Sequence, residues 1–247
     1  MSKVCLVTGY SGMIAKEFVK DITKYGYECV IWDRKVIDID IDNAINNYLN
    51  EVKPDLIVHF AYGRFEWSTL MALYAKNNNI KMVYISTVNV YGDNCNGNLD
   101  KESLCIPNDD YSRYKKTSED KILGFNKNVY ICRIGWQISG PEETHDNNMV
   151  EFMRREFRNN GVVKASISSY LSTSFTKDLT KEIARVIENM KPDIYLFNSN
   201  FSINFYDLLC KLNALYNLNV KIEAINDKYF DNRMYDNRVK VKNDFFK

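Results

Sequence analysis

The 247-residue sequence has few of the residues that bind metals or form disulfide bonds. Histidine occurs only twice, at His59 and His145, and the six cysteines show no C-x-x-C spacing. Spaced cysteines and histidines are the usual ligands of structural zinc, so we expect no metal site. Cys5, Cys29 and Cys132 lie within apolar runs that are typical of strands, which predicts reduced thiols in the core.

The sequence also lacks an excess of charge and a long apolar run. It contains 33 basic and 32 acidic residues, interspersed along the chain, for a net charge of +1. Such a chain has no electrostatic field that would attract nucleic acid or an anionic membrane surface. No apolar run approaches the roughly 20 residues that span a bilayer, and the N-terminus enters a strand pattern without a signal-peptide cleavage region. We therefore expect a soluble, cytoplasmic protein.

The first strong pattern is a strand, a glycine turn and a helix at the N-terminus. Residues 4–7 predict a buried strand, Gly9 and Gly12 predict a tight turn, and apolar residues recur at helical spacing over residues 13–25. Such a turn lets the backbone at the helix N-terminus approach a pyrophosphate. Ala15 stands at the third small position of the G-x-G-x-x-G/A dinucleotide fingerprint. When this motif is considered by itself, a turn that binds no ligand is the alternative interpretation.

Strand and helix patterns then alternate along the chain. Strands are predicted at residues 4–7, 28–33, 56–61, 80–86 and 129–134, with helices between them at 44–52, 66–78 and 111–124. This alternation predicts a doubly wound, parallel α/β sheet, whose ligands bind at the carboxyl ends of the strands. Gly9, Asp33, Ala61 and residues 86–87 should therefore converge on one crevice.

Other segments have weaker patterns. Residues 37–42 alternate between isoleucine and aspartate, which predicts a short extended segment. Residues 88–107 and 136–148 are predicted to be irregular. Helices are predicted at 148–159, 178–190 and 201–216, and a strand at 195–197. The order of elements in this second half no longer alternates, which indicates a smaller cap.

Asp33 follows the second predicted strand, 24 positions beyond Gly9. In a dinucleotide-binding fold this carboxylate accepts hydrogen bonds from the adenosine ribose, and a solvated turn aspartate is the alternative. Arg34 and Lys35 come next and would suit a 2′-phosphate. NAD and NADP therefore both stay open as cofactors.

Tyr111 and Lys115 form a Y-x-x-x-K pattern near the start of a predicted helix. A spacing of four places the hydroxyl and the ammonium on one helix face. A nearby cation lowers the pKa of a tyrosine, which would suit Tyr111 to general acid–base catalysis. Thr87, at the end of the fourth strand, offers a hydroxyl to a substrate carbonyl. A surface pair is the alternative for the motif by itself, since the chain has 17 tyrosines.

Together these motifs resemble the extended short-chain dehydrogenase/reductase superfamily and, within it, the dTDP-4-dehydrorhamnose reductase family. The resemblance covers nearly the whole chain and is carried by TGYSGMI (8–14), Asp33, Asp38, Ile39, PDLIVHFA (54–61), STVNVYG (86–92), the Y-x-x-x-K pair with Glu119, RIGW (133–136), NNM (147–149), Arg233 and NRV (237–239). It implies a Rossmann-type fold with a small, discontinuous α/β cap that binds substrate. We expect the dinucleotide-binding domain at residues 1–140 and 162–185, and the cap at 141–161 and 186–247.

The resemblance also implies a role for each matching residue. Thr87, Tyr111 and Lys115 would form the catalytic trio. The residues that would contact the dinucleotide are Gly9, Tyr10, Ser11, Gly12, Met13, Ile14, Asp33, Arg34, Asp38, Ile39, Phe60, Ala61, Tyr62, Ser86, Tyr111 and Lys115. Those that would face a nucleotide-sugar are Thr87, Trp136, Asn148 and Arg233. Arg238 is a second candidate for the substrate diphosphate, and a solvated charge is its alternative.

The residues after Thr87 reduce the number of reactions that the resemblance implies. Dehydratases of the superfamily have two acids there, and GDP-fucose synthases have a cysteine two positions on, whereas this chain has Val88 and Asn89. We therefore expect NAD(P)H-dependent reduction of the 4-keto group of a dTDP-, UDP- or GDP-linked 6-deoxysugar, in deoxysugar or surface-glycan biosynthesis. Two alternatives stay open: a catalytically silent, dinucleotide-binding regulatory homologue, and a sugar-nucleotide epimerase.

The chain departs from the family pattern in two ways, both near its third predicted helix. The chain is shorter than the family between Ala61 and Ser86, and Arg64 stands where the family usually has an asparagine. They imply that part of the cofactor-side wall, or of a subunit contact, is missing. As partners we expect a nucleotide-sugar substrate, but neither nucleic acid nor a membrane. A homodimer is one alternative for the assembly.

Overall fold

A computed structural model describes residues 2–93, 95–199 and 201–242. The helices are α1 (Met13–Ile22), α2 (Asp42–Val52), α3 (Phe65–Asn77), α4 (Asp110–Phe125), α5 (Met149–Asn160), α6 (Thr176–Asn189) and α7 (Phe205–Tyr216). The strands are β1 (Lys3–Thr8), β2 (Tyr27–Ile31), β3 (Leu56–His59), β4 (Lys81–Thr87), β5 (Val129–Ile134), β6 (Trp136–Ile138), β7 (Val163–Ser166), β8 (Ser169–Tyr170), β9 (Thr173–Phe175), β10 (Ile194–Phe197), β11 (Ile222–Ile225) and β12 (Phe230–Asp231).

Six of the strands form a central parallel sheet in the order β10–β5–β4–β3–β1–β2. The chain starts inside the sheet with β1, moves outward to β2, and then crosses back to place β3 on the other side of β1. The direction of winding reverses between β1 and β3, and doubly wound sheets bind ligands at such a point. The predicted Rossmann-type, doubly wound α/β fold is confirmed.

Helices cover both faces of this sheet. Alternate residues of a strand point to opposite faces, so Cys5 and Val7 pack with α1 and α6, whereas Leu6 packs with α2, α3 and α4. Burial on both faces explains why these strands are almost continuously apolar. The same burial holds Cys5 and Cys132 in the core, and all six cysteines are free thiols.

A separate apolar cluster lies in the C-terminal half. It includes Met149 and Met153 of α5, Leu208 and Leu212 of α7, and Val163 of β7. Three two-stranded parallel pairs accompany it, namely β7 with β11, β8 with β12 and β6 with β9. In the described ranges, no helix is both long enough and apolar enough to cross a membrane.

Two strands do not pack in the part of the fold to which the predicted domain division assigned them. β10 falls within residues 186–247, assigned from sequence to the cap, but it forms the edge of the central sheet beside β5. β7 falls within residues 162–185, assigned to the dinucleotide-binding domain, but it pairs with β11 and packs in the C-terminal cluster. A four-residue apolar run predicts a strand without indicating its partner, because pairing is decided by distant residues. The division itself stays a prediction.

Some local predictions were also wrong. Residues 37–41 contain a bend and a turn rather than an extended segment, and α2 already begins at Asp42. The Asp38 carboxylate stabilises the turn, because it accepts a hydrogen bond from Asp40 N–H at 2.8 Å. The predicted irregular segment at 136–148 contains β6, which pairs with β9. Helix α1 ends at Ile22, so Tyr25 lies in a following turn, and α7 begins only after the N-cap Asn204.

Candidate active site

A tight turn joins β1 to α1. Gly9 has a φ of 71°, a left-handed conformation that favours glycine, and its carbonyl accepts a hydrogen bond from Gly12 N–H at 3.0 Å. A Cβ on Gly9 would lie 2.8 Å from Ala61 N, so glycine also permits the close approach of the segments after β1 and β3. Helix α1 begins at Met13, and no described side chain caps it. The N–H groups of its first turn are therefore available to an anion.

A crevice of about 270 Å³ lies at this turn. Its walls contain most of the residues predicted to contact a dinucleotide, namely Gly9, Ser11, Gly12, Met13, Ile14, Arg34, Phe60, Ala61, Tyr62, Ser86, Tyr111 and Lys115. These residues follow β1, β2 and β3, end β4 or begin α4, and the parallel sheet brings them to one edge. The structure thus gathers them, while their contact with a cofactor stays a prediction.

Four residues predicted to contact the cofactor do not line this crevice. The Asp33 and Asp38 carboxylates accept hydrogen bonds from their own turns, and the Tyr10 side chain is 39% exposed. Ile39 packs against the apolar cluster on the α2 and α3 side of the sheet. Arg34, by contrast, lies in the crevice wall and donates to a backbone carbonyl there at 3.2 Å. In this structure Asp33 matches its alternative interpretation as an exposed turn aspartate.

Thr87 and Tyr111 line a second, larger cleft of about 600 Å³. Thr87 ends β4, and Tyr111 lies in the first turn of α4. A capping box fixes the start of that helix, because the Asp109 carboxylate accepts a hydrogen bond from Ser112 N–H at 2.7 Å. Met13 and Tyr111 line both the crevice and the cleft, so the two spaces meet at these residues.

Lys115 lies one helical turn beyond Tyr111 and is 4% exposed. Its Nζ donates to Ile85 O at 2.8 Å and lies 4.8 Å from the centre of the Tyr84 ring, compared with 6.0 Å for the Tyr111 ring. Burial lowers the pKa of Lys115 to about 8, and the nearby Glu119 carboxylate opposes this change. Lys115 is therefore a buried cation whose ammonium is bonded to the backbone of β4.

The predicted lowering of the Tyr111 pKa is wrong for this geometry. Burial raises the pKa of Tyr111, and a hydrogen bond with Thr87 opposes this only in part. The side chain as a whole is 46% exposed, but the partner of its hydroxyl, Thr87, is buried. The spacing of four does place Lys115 on the same helix face, yet its ammonium donates to the Ile85 carbonyl instead.

A buried network joins the elements that carry this trio. Arg133 of β5 donates to both carboxylate oxygens of Glu119 on α4, at 3.1 and 2.7 Å. Ser86 of β4 donates to Glu119 Oε1 at 2.5 Å, and Arg133 also donates to Tyr91 Oη at 2.8 Å. Burial opposes the charge of Arg133, but its bonds with Glu119 raise the pKa of Arg133 overall. Ser86 was predicted to contact the cofactor, and its hydroxyl is engaged in this network.

Trp136, predicted to face the substrate, lies in the wall of the larger cleft. Its indole N–H donates to Asn147 O at 2.9 Å. Its ring packs against Phe152 and Phe205, with centres 5.0 and 6.0 Å apart. These contacts give the cleft a rigid apolar wall.

The prediction that Asn148 faces the substrate is wrong. Asn148 is fully buried and caps α5, with Oδ1 accepting from Ser139 N at 2.9 Å and from Val150 N at 3.3 Å. Its Nδ2 donates to two backbone carbonyls, of Gly140 and Glu143. The amide therefore has no donor or acceptor left for a ligand. The neighbouring Asn147 lines the cleft instead, because the start of α5 decides which of the two asparagines turns inward.

Arg233 and Arg238 are not among the residues that line the cleft. The Arg233 guanidinium pairs with the buried Asp231 carboxylate at 2.9 and 2.6 Å and lies 4.7 Å from the centre of the Tyr170 ring. Arg238 pairs with Asp236 in the same way. Each arginine follows its aspartate in an Asp-Asn-Arg triplet, which satisfies the guanidinium locally. Both arginines are thus engaged in local ion pairs, and their binding of the diphosphate stays a prediction.

Several polar residues of the site were missed from the sequence, among them three asparagines and a histidine. Asn89, Asn147 and Asn232 line the larger cleft, and His145 lines the crevice. Amide groups both donate and accept hydrogen bonds, which suits the hydroxyls of a sugar. Asparagine is abundant in this chain, so its presence alone did not mark these three positions, and His145 had no partner motif.

Comparison with known proteins agrees with the fold. Residues 5–196 match the model of the NAD dependent epimerase/dehydratase family. The spore coat polysaccharide biosynthesis protein SpsK of Bacillus subtilis is 20% identical, over 94% of this chain and 86% of that protein.

Solved structures match over almost the whole chain. A dTDP-4-dehydrorhamnose reductase from Clostridium acetobutylicum has a TM-score of 0.81 at 18% identity, covering 95% of this chain and 91% of that one. The Bacillus anthracis dTDP-4-dehydrorhamnose reductase, in complex with NADP, also has a TM-score of 0.81 at 18% identity, covering 96% and 90%. Dehydratases and epimerases are among the further matches. On the family match, which spans most of the sequence, the chain belongs to the NAD-dependent epimerase/dehydratase family.

Proposed function

We propose that this protein reduces the 4-keto group of a nucleotide-linked 6-deoxysugar with NAD(P)H. The observation that carries the proposal is the position of Tyr111, which lines both the crevice at the glycine turn and the larger cleft with Thr87 and Trp136. A cofactor in the crevice and a sugar in the cleft would have their reacting ends beside the same hydroxyl. Holding two reactants in such a geometry is a large part of catalysis.

The residues of the crevice fit a nicotinamide dinucleotide. The backbone at Gly9 and the open N-terminus of α1 suit a pyrophosphate, since a side chain on Gly9 would collide with Ala61. Arg34 and Lys115 add two cations to the same walls. The B. anthracis reductase with this fold is in complex with NADP. When bound, the reduced nicotinamide would supply the hydride.

The protein's part of the reaction is to position the carbonyl and to supply a proton. Thr87 would donate a hydrogen bond to the C4 oxygen, and Tyr111 would give its hydroxyl proton to that oxygen as C4 becomes a secondary alcohol. Burial raises the pKa of Tyr111 and so keeps the proton on the hydroxyl before reaction. The phenolate that remains would take a proton back from solvent. Lys115, in the crevice wall, would bind the cofactor.

The residues after Thr87 support hydride transfer without elimination of water. Val88 is buried, and Asn89 lines the cleft. An amide neither releases nor takes up a proton at neutral pH, so Asn89 offers no acid or base beside the sugar. This composition favours a reductase over a dehydratase.

The test supplies dTDP-, UDP- and GDP-4-keto-6-deoxyhexoses to the purified protein with NADPH or NADH. Consumption of the reduced nicotinamide and the sugar product are followed together, by absorbance and by NMR. We expect one mole of cofactor oxidised per mole of 4-hydroxy sugar formed. Cofactor binding without oxidation by any of the sugars would indicate a silent binding homologue. Sugar interconversion with no net consumption of cofactor would indicate an epimerase.

A further inference from the structure

A histidine from the C-terminal half of the chain lines the crevice at the glycine turn. His145 lies in the segment between β6 and α5 and lines the same crevice as Ser11 and Gly12. The dinucleotide crevice is therefore built from the C-terminal half as well as from the ends of the central strands. Neither Arg34 nor Lys115 belongs to the glycine turn, and both line other parts of the wall.

The hydrogen bonds of the His145 ring indicate which nitrogen is free to bind a ligand. Asn147 N–H donates to Nδ1 at 3.2 Å, so Nδ1 is an acceptor and the neutral ring has its proton on Nε2. Over the described ranges, no protein group bonds to Nε2. The ring thus offers an N–H donor in both its neutral and its charged form.

The segment that carries His145 is held firmly against α1. The buried Asn148 side chain makes four hydrogen bonds to the backbone around it, including one to Glu143 O at 2.7 Å. Ser139, at the start of the segment, lies 3.6 Å from the Met13 sulfur and 2.8 Å from Thr176 Oγ1. These contacts fix the segment relative to the helix whose N-terminus would hold the pyrophosphate.

We propose that His145 binds the pyrophosphate of the dinucleotide together with the glycine turn. The inference rests on the proposed cofactor. His145 and the turn at Gly9, Ser11 and Gly12 line the same crevice of about 270 Å³, so a pyrophosphate at the turn would lie in the space that the ring borders. The Nε2 donor and the N–H groups of α1 would then bond the same anion.

The test titrates the wild-type protein, His145→Ala and Thr144→Ala with NADPH and with NADH, following the fluorescence of the reduced nicotinamide. Loss of a hydrogen bond to a charged group should weaken the binding of both cofactors by about tenfold or more in His145→Ala. Thr144 is exposed on the same segment and does not line the crevice, so Thr144→Ala should bind as the wild type does. Unchanged affinity in folded His145→Ala, or a loss confined to NADPH, would overturn the proposal. If the wild type binds neither cofactor, the proposed function fails as well.

A conservative variant separates a direct contact from a structural role. His145→Gln keeps an N–H donor and nearly preserves the size of the side chain, so it should recover part of the affinity for NAD⁺ that His145→Ala loses, as calorimetry at a single pH measures. An equal loss in folded His145→Gln and folded His145→Ala would overturn the proposal. The glutamine variant also serves if His145→Ala fails to fold.

Discussion

Ser86 donates a hydrogen bond to Glu119 at 2.5 Å, and this bond connects the strand that carries Thr87 with the helix that carries Tyr111 and Lys115. Glu119 in turn accepts two hydrogen bonds from the Arg133 guanidinium. Both charged groups are almost completely shielded from water, with side chains 1% and 3% exposed. The relative positions of the three candidate catalytic residues therefore depend on one buried ion pair.

Glu119→Gln should destabilise the protein strongly. The change leaves the Arg133 guanidinium buried without its counter-charge, and breaking such a pair typically costs about 3–5 kcal/mol of unfolding free energy. Urea denaturation followed by circular dichroism measures the loss. The control is Asp120→Asn on the same helix, which breaks the exposed pair with Lys116 and should cost at most about 1 kcal/mol. Equal effects of the two substitutions would contradict the role of the buried pair.

Tyr111→Phe should lower turnover by about 10²–10⁴-fold, the usual contribution of a positioned general acid. The hydroxyl is lost but the ring remains, so the affinity for cofactor should change little. Steady-state kinetics with the 4-keto sugar that the wild type reduces gives the first quantity, and a fluorescence titration gives the second. Tyr235→Phe, at an exposed tyrosine outside both spaces, is the matched control. A Tyr111→Phe protein with near wild-type turnover would show that another group supplies the proton.

Lys115→Met should stabilise the folded protein near neutral pH. Folding lowers the pKa of Lys115 from 10.5 to about 8, so the unfolded chain binds the proton more tightly. The resulting penalty is present in full below about pH 8 and disappears as the pH rises through about 10.5. After allowance for the lost bond to Ile85 O, the substitution should raise the unfolding free energy by about 2 kcal/mol at about pH 7. Denaturation at about pH 7 and about pH 10 tests the sign, and a gain that grows with pH would contradict it.

Gly12→Val should abolish dinucleotide binding without unfolding the protein. The backbone of Gly12 is extended, with φ −76° and ψ 149°, so a branched residue can adopt it. Its Cβ would lie 3.3 Å from Gly9 O, so the added side chain would crowd the turn that lines the crevice. A titration with NADPH and NADH measures the loss, and the melting temperature confirms the fold. Gly124→Ala, on α4 with no neighbour within 4 Å of its Cβ, is the control. Retained binding in folded Gly12→Val would place the cofactor elsewhere.

The sequence by itself determined five of the six strands of the central sheet and the location of the crevice. The strand, glycine turn and helix at residues 4–22, and the alternation that follows, are local patterns with a fixed geometric meaning. Parallel strands present their carboxyl ends at one edge, which is why Gly9, Ala61 and Ser86 could be predicted to converge. The spacing of Tyr111 and Lys115 likewise placed both on one helix face, since helical periodicity needs no tertiary information.

Only the tertiary structure decided where individual polar groups point. The Lys115 ammonium bonds a carbonyl of β4, and Asn148 rather than Asn147 became the buried cap. The Arg233 guanidinium pairs with Asp231, two residues earlier in the chain, and does not line the cleft. A long or polar side chain has several partners within reach, and the choice among them depends on burial and on residues far away in sequence. The same dependence on distant pairing placed β10 in the central sheet and brought His145 to the crevice from the C-terminal half.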